Sequence, residues 1–151
     1  RIDCPPAPEG MGAADAEFRD AEYRFVAHYT SVFANEHDAQ AYLDFQSVGR
    51  RCFARALDEG KLNGSQQTFG GSSFESVDLS DVDDALTGEI LSYEINTGTA
   101  RPSRISTLYI SGQHGTWTMR LVAGLEPGRE LRDRDFLVDL AVRAMEYLRT
   151  D

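Results

Sequence analysis

The sequence predicts an α+β domain, a mainly antiparallel sheet covered by two helices in the order β-α-β-β-β-β-α. Three observations carry this. Residues 22–34, 103–111 and 116–123 alternate between two faces with the period-two pattern of strands. Two stretches, from Ala39 to about Glu59 and from Arg132 to the last residues, repeat apolar side chains at three and four. Short glycine-containing segments separate the strands of the second half, so those strands connect as hairpins. A length of 151 residues fits one domain, spanning residues 1–151.

Taken in order, Cys4-Pro5-Pro6-Ala7-Pro8-Glu9-Gly10 is too rich in proline for regular structure, and residues 1–15 read as an extended lead-in. In the first strand Phe25, Ala27, Tyr29, Ser31 and Phe33 share one face. Asn35 or Asp38 is the expected N-cap of the first helix. Its apolar stripe runs through Ala39, Tyr42, Leu43, Phe45, Val48, Gly49, Cys52, Phe53 and Ala56, and Gly60 suits a left-handed residue after its end. Residues 63–73 are glycine- and serine-rich loop chemistry, followed by a short strand from Phe74 to Leu79. Strands over 87–97, 103–111 and 116–123 form a meander turning at 98–102 and 112–115. The second helix presents Phe136, Leu137, Leu140, Ala141, Ala144, Tyr147 and Leu148 on one face. Two helices with one apolar stripe each must cover the sheet.

Charge narrows the function classes. Twenty-five acidic residues against 15 basic ones give a formal charge of −10, a field that repels phosphate backbones and anionic membrane surfaces, so nucleic acid is not an expected partner. Fourteen of the basic residues are arginine, the bias of a high-GC bacterial genome. No apolar run approaches the length of a membrane span. The abrupt beginning at Arg1 is expected to follow removal of a leader or tether.

Cys4 and Cys52, 48 positions apart, are the only cysteines. They either form a disulfide or remain two thiols, with Cys52 then a small core residue. A bridge is favoured because Cys4 lies in an exposed-looking segment where a free thiol is a liability, and it would place the chain in an oxidising compartment.

Catalytic and metal motifs are weak. Gly70-Gly71-Ser72-Ser73 lacks the trailing glycine of a nucleophile elbow and leads into a strand rather than a helix. The carboxylates Asp78, Asp81, Asp83 and Asp84 do not follow the spacing of a calcium loop. No catalytic residue, metal or cofactor is therefore assigned. The hairpin Gly112-Gln113-His114-Gly115-Thr116-Trp117 packs a histidine, an amide and an indole together; it reads either as a turn before a core tryptophan or as pocket lining. In the second case Tyr93, Tyr109 and Arg120 join His114 and Trp117 as ligand-binding candidates, provided they share a sheet face.

The stretches Glu22 to Val26 and Val32-Phe33-Ala34, then Asp38-Ala39-Gln40-Ala41-Tyr42-Leu43, then Cys52, resemble the PknH-like extracellular sensor domains of actinobacterial receptor kinases and lipoproteins. In that family a strand ending in Val-Phe leads to a similar helix start, and the helix carries a cysteine bridged to one upstream, where Asp3-Cys4-Pro5 stands here. The chain has Val48-Gly49-Arg50-Arg51 where the family commonly has a tryptophan, and it lacks a second cysteine pair. The resemblance implies an extracytoplasmic sensor, secreted or membrane-tethered, with a cleft between sheet and helices and a Cys4–Cys52 bridge. Its ligand would be a small molecule or a cell-envelope component. Two other classes stay open: a small α+β-roll enzyme using an acid or His114, and a protein-partner module such as an inhibitor or immunity protein.

Overall fold

A computed structural model describes Cys4 and residues 12–19, 25–98 and 101–150, with the backbone path alone for 13–19. The α+β class and the alternation of elements from Phe25 onward are as the sequence predicts. The elements are β1 (Gly12–Arg19), β2 (Phe25–Val32), α1 (Glu36–Asp58), β3 (Thr68–Val77), β4 (Leu86–Asn96), β5 (Ser103–His114), β6 (Trp117–Leu125) and α2 (Glu130–Arg149). The strands form one antiparallel sheet in the order β1-β2-β6-β5-β4-β3. Helix α1 carries the chain from β2 across to the far edge at β3, and the meander β3 to β6 then returns beside β2.

Strand β1 corrects the expected lead-in, since residues 12–15 are already paired with β2 through Gly12↔Val32 to Asp15↔Tyr29. Its alanines and acids have little strand propensity, and the open edge of β2 overrides that preference. Residues 5–11, 20–24 and 99–100, which include the proline-rich segment and parts of the expected first strand and of the 98–102 turn, lie outside the described residues.

Strand β3 also begins earlier than expected, at Thr68. The loop-like Gly70-Gly71 pair is accommodated as a bulge. Gly71 adopts φ 59° and the pairing with β4 shifts between Gly70 and Ser73. An edge strand tolerates this because only one of its sides is paired.

Helix α1 starts at Glu36, with the Asn35 side chain accepting from the Asp38 amide at 2.8 Å. It closes in a Schellman arrangement: Gly60 at φ 69° donates to Leu57 and Lys61 donates to Ala56. A disulfide joins Cys4 to Cys52, with Cα atoms 5.9 Å apart.

The two faces of the sheet differ in kind. Leu108, Ile110, Met119, Leu121 and Ala123 meet Leu137, Ala141, Met145 and Leu148 of α2 in a continuous apolar core. Gly112 makes room there, because a Cβ on it would come within 2.6 Å of Met145 Sδ. The inward stripe of α2 is narrower than the sequence predicts. Phe136 and Tyr147 are 58% and 70% exposed, and Met145 takes the central position instead. A helix on a flat sheet buries the residues near one line, and Phe136 lies about 100° around from Leu137. At the end of α2, Arg149 forks onto Asp83 at 2.7 and 2.8 Å, and this hydrogen bonding holds the Asp83 carboxyl below its usual range.

Candidate functional site

Helix α1 packs on the sheet through buried residues at its ends and through polar side chains in the middle. At its start Ala39 is buried, and Gln113 Nε2 donates to the Glu36 carbonyl at 3.0 Å. At its finish Ala54, Ala56 and Leu57 are buried, and Asp58 takes both the amide and the hydroxyl of Ser72 at the β3 bulge. These two bonds lower the Asp58 carboxyl. Between these anchors Leu43, Ser47 and Arg50 are only half-buried. The face of the sheet beneath them is polar: Thr87 and Glu89 of β4, Tyr109 and Ser111 of β5, and Arg120 of β6 share it through the cross-strand pairs Thr87↔Ser111, Glu89↔Tyr109 and Ser111↔Arg120.

The gap that results is a cleft of about 470 Å³. The helix contributes Gln40, Leu43, Asp44, Ser47 and Arg50; the strands contribute Thr87, Glu89, Tyr109 and Ser111; and Asp78 follows the end of β3. This volume lies within the range of small-molecule sites. A second hollow of about 360 Å³ opens beyond it, lined by Phe45, Gln46, Gly49, Phe53 and Leu91, and Arg50 with Tyr109 forms part of both walls.

Arg50 and Glu89 organise the far end of the cleft. Arg50 donates from Nε to Glu89 Oε2 at 2.7 Å and its Nη2 stands 2.6 Å from the same oxygen. Ser47 Oγ donates to Oε1 at 2.5 Å, and the guanidinium lies 4.6 Å from the centre of the Tyr109 ring. The two side chains are 10% and 14% exposed, so each charge depends on the other. Burial pushes the Tyr109 phenol up, so it stays a neutral hydrogen-bonding group.

Arg120 is the second half-buried cation on this face. Its Nη1 donates to Gln46 Oε1 at 2.6 Å, and its guanidinium stands 4.7 Å from the Tyr29 ring and 5.5 Å from Tyr42. Desolvation, reinforced by the positive charge of Arg50, pulls its pKa down from the ordinary guanidinium value.

The structure separates the predicted site residues into two groups. Tyr109 lines both hollows. Arg120 lies on the same face, and so does Tyr93, in edge contact with Phe53 and Phe69 at ring separations of 6.1 and 6.2 Å. His114 and Trp117 pair with each other across the turn and lie on the α2 side of the sheet, in register with Gly112 and Met119. Trp117 is 40% exposed, so it is neither a core tryptophan nor a neighbour of Tyr109. Asp44, Ser47, Arg50, Glu89 and Ser111 also face the cleft and belong to no motif in the sequence. Two patterns in the sequence point to all of these but Glu89: Gln40, Asp44, Ser47 and Arg50 recur at three and four, and Ser111 shares strand parity with Tyr109.

Among the described residues no group of three or more histidine, cysteine or acidic side chains is placed to hold a metal ion, and no helix is long and apolar enough to cross a membrane. No family model, curated protein or solved structure matches the chain.

Proposed function

We propose that this chain is an extracytoplasmic sensor or ligand-binding domain, secreted or tethered to a membrane, that takes a small molecule or a cell-envelope component between α1 and the sheet. The observation that carries this reading is the cleft itself. Helix α1 is held over a polar face by buried contacts at its ends and by polar side chains between them, which leaves a preformed space lined by hydroxyl, carboxylate, amide and aromatic groups. A helix meant only to close a core would present the apolar contacts that α2 presents on the other side.

The Cys4–Cys52 bridge supports the compartment, because structural disulfides persist where thiols are not continuously reduced. It also pins the N-terminal segment to α1, one of the cleft walls. The likeness of residues 3–57 to PknH-like sensor domains agrees with both points. Thiol state in the chain's own host tests the compartment. Protein trapped with alkylating reagent under denaturing, non-reducing conditions is expected to take up no label. Labelling of both cysteines would contradict an extracytoplasmic location.

A further inference from the structure

We propose that the hollow beside the cleft takes a small organic carboxylate, its charged head held by Arg120 and its apolar tail lying against Phe45, Phe53 and Leu91. This rests on the ligand-binding reading above and assigns its ligand class.

The state of Arg120 is the first argument. It is half-buried, and no carboxylate pairs with it among the described residues, whereas Arg50 has Glu89. Its Nη1 donates to a neutral amide, Gln46 Oε1 at 2.6 Å, and its Nε is buried without an acceptor. The rings of Tyr29 and Tyr42, 4.7 and 5.5 Å away, offer it only their π faces. A buried guanidinium is ordinarily paired with an acid, and a buried N–H is ordinarily satisfied. A carboxylate supplies both missing elements. It brings one negative charge and two acceptor oxygens in the planar fork that a guanidinium binds best.

The walls around Arg120 are the second argument. Gln46 lines the hollow, so a ligand that displaces its amide oxygen meets Arg120 Nη1 directly. Ser111 pairs with Arg120 across β5 and β6 and lines the neighbouring cleft, so Arg120 lies where the two spaces meet. The cleft has Asp44, Asp78 and Glu89 in its walls, whereas the hollow is lined by Arg50 and no acid. Glu89 already neutralises Arg50, which leaves Arg120 as the unbalanced charge beside the hollow. Phe53 in its wall is 38% exposed, apolar surface that an alkyl tail would cover. The −10 charge of the chain opposes anions at long range, but physiological salt screens it beyond about 8 Å. The groups next to the guanidinium therefore decide.

Calorimetric titration of the oxidised full chain at about 150 mM salt tests this. The probes are hexanoate, its neutral and cationic counterparts hexanol and hexylamine, and acetate, which lacks the tail. Hexanoate is expected to bind one-to-one and saturably. The other three should bind at least about tenfold more weakly, for want of the charge or of the buried methylenes. Arg120→Met keeps the length of the side chain without its charge and should weaken hexanoate about tenfold or more. Gln46→Ala frees Nη1 and should tighten hexanoate severalfold, which a purely structural role for the pair would not do. Failure of hexanoate to saturate, unchanged affinity in Arg120→Met, or no gain in Gln46→Ala overturns the proposal. Binding of hexanol or hexylamine that equals hexanoate and is lost in Ser111→Trp would overturn the carboxylate and leave the ligand-binding reading standing. Retention of no small molecule by protein isolated from its host, together with no binding of any probe, would remove both.

Discussion

Serine at both Cys4 and Cys52 is expected to lower the free energy of unfolding by about 4 kcal/mol. The bridge closes a loop of 48 residues, and the loop-closure entropy it removes from the unfolded chain gives that figure. Domains of this size are stable by only about 5–15 kcal/mol, so the loss is a large share of the total. In thermal unfolding it corresponds to a fall in Tm of roughly 10 °C. The structural consequence is local first. Cys52 lies on the second half of α1, and the segment it tethers leads into β1, which completes the edge of the sheet beside β2. Urea titration of the oxidised protein and of the double-serine variant measures the difference directly. Reduction of the wild type should reproduce it. A change below about 1 kcal/mol would mean that the lead-in is held by other contacts and that the bridge is incidental.

Glu89→Leu is the second large effect, with an expected cost of about 3–5 kcal/mol. The substitution strands the Arg50 guanidinium in a site that is 10% exposed, against the Tyr109 ring and on the same face as Arg120. It also leaves Ser47 without its acceptor. Most of the penalty belongs to the uncompensated cation rather than to the lost attraction. Arg50→Leu combined with Glu89→Leu should therefore recover most of the stability, because a buried pair and a well-packed apolar pair are often nearly equivalent. A double-mutant cycle by urea unfolding isolates this coupling. Additive losses in the two single variants would show that both charges remain hydrated and that the cleft end is open to bulk water.

The sequence carried the fold further than the site, and the reasons are physical. Strand parity placed Phe25, Ala27, Tyr29, Ser31 and Phe33 on one face, and Ala27, Ser31 and Phe33 are buried together there. Gly60 ends α1 in the left-handed conformation that its position requires. What periodicity could not supply is the width of the contact each helix makes. Val48 and Phe53 fall on the apolar stripe of α1, yet Val48 is half exposed and Phe53 is covered only by its edge contact with Tyr93. On α2, Phe136 and Tyr147 are displaced by Met145, whose seat exists only because Gly112 lies beneath it. Strand β1 has no local signal of its own and exists through pairing with β2.

The site was legible in part. Tyr109 and Arg120 share the α1 face with Tyr93, but His114 is an odd number of residues from Tyr109, and Trp117 from Arg120. Continuing the alternation through the hairpin puts the first two residues and the last two on opposite sides. The same count brings Ser111 under α1. The composition of a hairpin is a weaker guide to a pocket than the parity of its residues, and the polar stripe along α1 is the better signal.

The central claim is that the space between α1 and the polar sheet face holds a ligand. A native, non-reducing mass spectrum of the chain secreted by its own host, taken for the wild type and for Ser111→Trp, tests it most directly. The wild type is predicted to show the mass of the oxidised chain with a retained small-molecule adduct, and the variant the same oxidised mass without it. A bare mass in both, or an adduct that survives filling of the cleft, would contradict the account.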